Sequence, residues 1–270
     1  MTALDDTPAG PAEAGQVAAP DEAVGARGLL RALLRNRLAA AALVVLAIFV
    51  VVAVLGERLA PYGRNEVSSA DKLRAPSLEH PFGTDQLGRD VLSRVLIGAE
   101  PSLRVGLVAV GIALVAGVVL GLVAGYYRGL VDDVVMRCMD VLFAFPAILL
   151  AIAVMAIRGR GATNAMIAIG VVYTPIFARV TRASVLTVRE QVFVRAARSI
   201  GAGDLRIMTR HVLPNVAAPI IVQTSISLAF AILAEAALSF IGLGTQPPEP
   251  SWGRMLADGR GFIQDAWWMA

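Results

Sequence analysis

Apolar residues in this chain gather into long runs, parted by polar stretches rich in arginine, glycine and proline. A helix crossing the hydrocarbon core of a bilayer needs about 20 mostly apolar residues. Leu38 to Gly56 meets that length with no charge inside it, and Val105 to Tyr126 meets it too. Val141 to Ile157 is a third run, whose helix is predicted to begin near Cys138. Ala165 to Val180 is shorter, and Thr174-Pro175 predicts a kink whose freed carbonyl needs another partner. Ala217 to Phe240 is the fifth run, while the stretch 241–270 is too polar and too rich in proline and glycine to span. The pattern predicts an all-α membrane protein, a polytopic helix bundle with spans at about 38–56, 105–126, 138–157, 165–180 and 217–240.

The second run carries Gly117, Gly121 and Gly125, a stripe of small residues that lets another helix approach closely. Packing within the chain is the simpler use of that stripe, and contact with a second subunit is the other. Between the fourth and fifth runs lies "VRAARSIGAGDLRIMTRHVLPN", Val194 to Asn215, with four arginines, a histidine and two glycines. Just inside it, Phe193, Ala196, Ala197 and Ile200 fall at i, i+3, i+4 and i+7, one apolar face of a helix. Arg195 and Arg198 then point toward water or phosphate headgroups. Gly201 follows the last periodic residue, where a left-handed cap is wanted. Asp204 is placed to cap a second short helix with Leu205, Met208 and Val212 on one side, and Pro214 is expected to end it. Such a helix pair suits docking in a groove. An interfacial helix lying on headgroups fits the same pattern.

Composition agrees with lipid as the solvent. The chain is 57% hydrophobic and 17% charged with a mean hydropathy of +0.68, whereas soluble domains carry about a quarter charged residues. The net charge of +3 sits between apolar runs, where it sets topology rather than marking a nucleic-acid partner. Residues 1–26 hold several acidic residues, prolines and glycines and no basic residue, which predicts a disordered cytoplasmic tail. Arg27, Arg31, Arg35 and Arg37 crowd the approach to the first run and favour a cytoplasmic amino terminus. Alternating crossings then place 57–102 and 241–270 outside and 181–214 in the cytoplasm. The first run lacks the basic start and cleavage pattern of a secretory signal, so it reads as an anchor.

Catalytic chemistry finds no foothold in the sequence. A phosphate-binding P-loop needs a lysine after a glycine-rich turn, and the only lysine, Lys72 in "SADKLRAP", lacks that context. His80 and His211 lie in different loops and Cys138 is the single cysteine, so neither a metal cluster nor a Cys-His pair is predicted. Glu57, Glu66, Asp71, Glu79, Asp85 and Asp90 read as solvated loop carboxylates. No catalytic, cofactor-binding or metal residue is assigned.

"RAARSIG" (Arg195 to Gly201) and "HVLPN" (His211 to Asn215) fit the form E-A-A, three residues, G, nine residues, I-x-L-P. Arg195 stands in the glutamate position and His211 in the isoleucine position, so a role for that carboxylate does not carry over. "HPFGTDQLGRDVLSRVLIGA" (His80 to Ala99) and "LAEAALSFIGLGTQPPEPSWGRML" (Leu233 to Leu256) belong to the same pattern. On these segments the chain, from about residue 30 to 270, resembles the inner-membrane permeases of binding-protein-dependent ABC transporters. Within them it is similar to the C-type permease of the dipeptide and oligopeptide branch.

The resemblance implies a type I ABC importer permease fold over 27–270, with a sixth span expected after Ala270. It implies a multi-pass protein of the bacterial cytoplasmic membrane that moves di- and oligopeptides and forms half of a pore with a second homologous permease. Partner ATPase subunits would use the ATP, this chain binding no cofactor itself, and an extracytoplasmic peptide-binding protein would deliver cargo. Membrane lipid is the remaining partner. The loop 181–214 becomes the ATPase-coupling loop, with Phe193, Arg195, Ala196, Ala197, Ile200, Gly201, Asp204, Leu205, Leu213 and Pro214 as its working residues. A permease for nickel or another small solute is the alternative, and a non-transporting membrane scaffold is the reading from another class.

Polar residues inside the spans complete the expectations. Glu235 lies deep in the fifth run, where a carboxylate must face protein or a water-filled path. Structural pairing is its first reading and lining of the translocation path its second. Gln223 and Ser227 either line that path or bond neighbouring helices. Asp140 is expected at the membrane edge beside Arg137.

Overall fold

The computed structural model describes residues 35–270, and among them it is helical, with only the isolated bridge Thr84–Asp90 outside helices and turns. The predicted tail 1–26, Arg27 and Arg31 lie outside the described residues. The chain divides into two units, Met1–Ala47 and Ile48–Ala270. In the first, the Asn36 carboxamide oxygen accepts from Leu38 N at 3.0 Å and Ala39 N at 3.3 Å, which caps helix α1 (Arg37–Leu59).

The second unit is built on α2 (Val91–Tyr127), a helix of 37 residues. It starts at Val91 rather than at the predicted Val105 because Asp90 caps it there, accepting from Ser93 N at 2.7 Å. The predicted third span is two helices, α3 (Gly129–Phe143) and α4 (Ala147–Arg158), bent by 93° at the break between them. Pro146 explains the break, since it lacks an N–H and its ring crowds the preceding residue out of helical geometry. With 12 residues α4 is about 18 Å long, too short to cross alone. Next, α5 (Ala162–Val188) runs unbroken through Pro175, with Thr174 Oγ1 donating to Gly170 O at 2.8 Å.

The short helices α6 (Val192–Ser199) and α7 (Asp204–Ile207) lead to α8 (Ala217–Phe240), and α9 (Trp252–Gly259) follows it. Pro214 does not end the second short helix. A π turn at Met208–Val212 and a 3-10 turn at Leu213–Val216 carry the chain helically from α7 into α8. The wide turn before the ring and the tight one around it accommodate the missing N–H, and Asn215 Nδ2 donates to His211 O at 2.7 Å. Among the described residues four helical stretches, α1, α2, α5 and Asp204–Phe240, are long and apolar enough to cross a membrane, and the bent α3–α4 pair makes a fifth if it is one broken span.

The core forms where α2 and α5 run side by side in the same direction. A Cβ on Gly117 would stand 2.4 Å from Phe177 Cβ, one on Gly121 2.3 Å from Ala178 O, and one on Gly125 2.9 Å from Val185 Cβ. The glycine stripe therefore packs inside the chain, closely against Phe177, Ala178 and Val185 of α5. Antiparallel to both runs α8, with Ile232 against Gly106. Val105 and Ala109 of α2, Met155 of α4, Phe177 of α5 and Leu238 of α8 fill the space between.

At the end where α2 begins, the loop turns its charges inward. Asp85 Oδ1 accepts from Leu87 N at 2.8 Å and Arg89 N at 3.0 Å, and its Oδ2 pairs with Arg89 Nε at 2.6 Å. His80 Nδ1 lies 3.0 Å from Asp90 Oδ1. Asp85 and Asp90 are thus buried rather than solvated. The reason is physical: a tight turn buries backbone donors that need acceptors, and carboxylates supply them. The segment 241–270 folds over the same end. Gly253 packs on the Ala236 carbonyl, Trp252 Nε1 donates to Val95 O and Trp268 Nε1 to Thr84 O, both at 3.1 Å. Asp140 pairs with Arg179 at 2.7 Å rather than with Arg137, because α3 lies along α5, where Asp132 also takes Arg182 in a bidentate pair.

Candidate functional site

From the end of α5 the chain turns through Arg189 to Gln191 into α6. Arg189 reaches back to α2, where its Nη1 donates to the carbonyls of Gly125 and Tyr126, two of the acceptors a helix end leaves open. The apolar residues of α6 then part in two directions. Val194 and Ala197 are buried in a cluster with Leu122, Tyr126, Val185 and Ile207. Phe193 is 41% exposed, Ile200 is 86% exposed, and Ala196 is exposed between them. Ala197 therefore leaves the outward face on which its spacing placed it and anchors the helix instead.

Gly201 takes φ +80°, the left-handed conformation its position predicts. Its N–H bonds to Arg198 O at 3.0 Å and that of Ala202 to Ala197 O at 3.1 Å, which closes α6. The cap position of α7 belongs to Gly203, not to Asp204. The Asp204 carboxylate is engaged elsewhere, accepting a hydrogen bond of 2.7 Å from the Tyr126 hydroxyl. That hydroxyl in turn accepts from Arg198 Nη2 at 3.2 Å, and the Arg198 guanidinium lies 5.6 Å from the Tyr126 ring centroid. The bond to Tyr126 raises the Arg198 pKa, so the guanidinium stays charged. Leu205, 71% exposed, extends the outward apolar surface. Arg195 and Pro214 are exposed, and Leu213 is half-buried against the inner cluster. The linear pattern does not point to Tyr126, which lies 78 residues before Asp204 at the end of an apolar run.

The polar residues of α8 are brought together differently. Glu235 is 1% exposed, and its Oε1 accepts from Ser239 Oγ at 2.7 Å and lies 3.5 Å from Thr245 Oγ1. Among the described residues its Oε2 has no hydrogen-bond partner, and Ser102 of α2 instead accepts from Trp252 N at the start of α9 at 3.2 Å. Gln223 Nε2 donates to Ser227 Oγ at 2.9 Å, one turn along the same helix. An apolar cavity of about 180 Å³ opens between α4, α5 and α8, lined by residues such as Ile148, Tyr173, Phe230 and Leu238. Glu235, Gln223 and Ser227 do not line it.

Residues 117–264 match the family described as the binding-protein-dependent transport system inner membrane component. The chain belongs to that family. Residues 27–76 match a second description, the N-terminal TM domain of oligopeptide transport permease C. The chain is 46% identical over 242 residues to a dipeptide transport system permease protein of Alkalihalophilus pseudofirmus, covering 90% of this chain and 80% of that one. A glutathione transport system permease protein of Escherichia coli is 46% identical over 227 residues, covering 84% and 75%. In fold the chain is similar to a methionine ABC transporter solved in inward-facing conformations. That match has a TM-score of 0.51 and 19% identity over 64% of this chain and 81% of the other. The family member described here is a multi-pass protein of the bacterial inner membrane with an ABC importer permease fold, a transport subunit and not an enzyme.

Proposed function

We propose that this permease subunit moves peptides inward and that the α5–α8 connection is where ATPase subunits drive it. The observation that carries this reading is the apolar surface of Phe193, Ala196, Ile200 and Leu205, exposed on short helices held from behind by Val194 and Ala197. Large apolar side chains displayed on a braced helix outside the spans suit a protein groove. In this reading the loop 181–214 is cytoplasmic, and the groove belongs to an ATPase subunit that binds and hydrolyses ATP. The amino terminus is then cytoplasmic, and 57–102 and 241–270 face outside. A second permease of the family completes the pore, and a binding protein delivers cargo to the outer end. The names of the dipeptide and glutathione relatives speak for peptide cargo over nickel or another small solute. Membership of a transport family speaks for a permease over a scaffold. The bonds of Glu235 to Ser239 and Thr245, and of Gln223 to Ser227, stay within α8 and the turn after it and support a structural role over lining of the path.

Gly201→Val tests the assignment. A Cβ at Gly201 meets no atom within 4 Å, so the substitution acts through backbone conformation alone, β-branched residues being steric outliers at positive φ. The turn lies beyond the ends of the apolar runs, so the spans are expected to insert normally. We expect near-normal membrane abundance, with loss of peptide uptake through either release of the ATPase subunits or ATP hydrolysis without transport. Pull-down of the ATPase and uptake are measured in the same cells. Normal values of both would overturn the coupling role.

A further inference from the structure

We propose that Tyr126 is a positioning residue for coupling: its hydroxyl fixes the angle of the α6–Gly201–α7 hairpin on the end of α2, so that motion of the hairpin reaches the bundle. The inference rests on the coupling role proposed above for this loop. The hairpin alone is a poor transmitter of force. Its first helix has only eight residues, its second opens the helical stretch Asp204–Phe240, and a Cβ added at the Gly201 turn between them would meet no atom within 4 Å. Apolar packing of Val194, Ala197 and Ile207 holds both arms against the bundle, but such packing is non-directional and the angle about that turn needs directional bonds to fix it.

Tyr126 supplies such bonds with one oxygen atom. Its hydroxyl donates to Asp204 at the start of α7 and accepts from Arg198 near the end of α6, one partner on either side of Gly201. The ring that carries the hydroxyl is 4% exposed and packed among Leu122, Val185 and Val194. Its backbone is held as well, because Arg189, on the other flank of α6, bonds the Tyr126 carbonyl. The last turn of α2 is therefore gripped before and after α6. Both bonds involve a charged partner, the stronger kind of hydrogen bond.

The test uses the whole transporter, this chain with its partner permease and ATPase subunits, in proteoliposomes with the binding protein. The probe is a mixed pool of labelled di- to pentapeptides, and the reading is peptide taken up per ATP hydrolysed. Loss of folded complexes lowers uptake and hydrolysis together and leaves that ratio unchanged. Tyr126→Phe keeps the ring and removes only the hydroxyl. We expect ATPase pull-down to persist and the ratio to fall about fivefold or more. Arg198→Gln, at an exposed side chain, should lower the ratio in the same direction. Asp204→Ala combined with Tyr126→Phe should be no worse than the poorer single variant, since Tyr126→Phe already removes the bond that Asp204→Ala removes. An unchanged ratio in Tyr126→Phe, or additive losses in the double variant, would overturn the inference. If Gly201→Val also leaves uptake normal, the coupling role of the loop falls as well; if Gly201→Val uncouples and Tyr126→Phe does not, only the role of Tyr126 falls.

Discussion

The two ends of the bundle hold their charges in different ways. Where α2 begins, His80, Asp85, Arg89, Asp90 and Arg94 are all buried and bonded among themselves or to nearby backbone. Tryptophans from the last thirty residues seal that end by donating to carbonyls of the turn and of α2. Where α2 finishes, the pairs are fewer, and Phe193, Ile200 and Leu205 remain exposed on α6 and α7. The first end satisfies its charges within one chain, while Leu78, Phe82 and Trp267 stay exposed on its surface. The second presents a surface that water does not favour, and its bracing from behind keeps that surface in one shape. An end whose charges are buried and paired serves as a fixed platform, while short braced helices at the other display their apolar side chains to a partner.

Substitutions at the two ends should therefore read out differently. The largest loss is expected for Asp85→Ala, which strands the Arg89 guanidinium and two backbone donors in a buried turn. Breaking a buried pair from one side costs about 3–5 kcal/mol, so thermal unfolding of the purified complex should shift down sharply. An unchanged melting temperature would mean that the turn is not the rigid platform described. A smaller loss follows from Trp252→Phe, which removes the bond to Val95 O and alters the edge-on packing against Phe49. About 1–2 kcal/mol is expected, seen as a modest shift in the same melting curve. The smallest effect on stability belongs to Ile200→Ser, within about 0.5 kcal/mol, because that side chain touches little of its own chain. Its effect should appear instead as weakened ATPase pull-down. Destabilisation of the isolated permease as large as that of Trp252→Phe would erase the contrast between the two ends.

The sequence and the structure agree where one signal suffices. Continuous apolar runs placed α1 and α8 nearly to the residue, because hydropathy and length alone define a span. The extra turns of α2 from Val91 to Glu100 carry charges, and the Asp90 cap that starts them is a local bond rather than a hydropathy feature. The bend at Pro146 stays hidden in a run whose apolar character does not change across it. At the candidate site, the positive φ of Gly201 was legible from spacing, as were the exposed Phe193, Ala196 and Ile200. The inward turn of Ala197 was not, since four residues on a helix give its periodicity but not the side from which the bundle covers it. Nor was Tyr126, because a contact across 78 residues depends on how α2 and α5 dock.

That docking has a mechanical consequence. Along Gly117, Gly121 and Gly125 the two parallel helices lie so close that an added Cβ would run into the Ala178 carbonyl or the Cβ atoms of Phe177 and Val185, which leaves little room for one to slip past the other. Such a seam does not creep; it holds or it separates. The pair α2 and α5 thus behaves as a single girder, and any change of shape has to be a rotation of that girder rather than a sliding of its halves. The compliant joint lies elsewhere, at the 93° break between α3 and α4, where the helical hydrogen-bond ladder is interrupted around Pro146. A stiff beam beside a hinge of a few residues is how a long membrane protein turns a small displacement at one end into a larger one at the other.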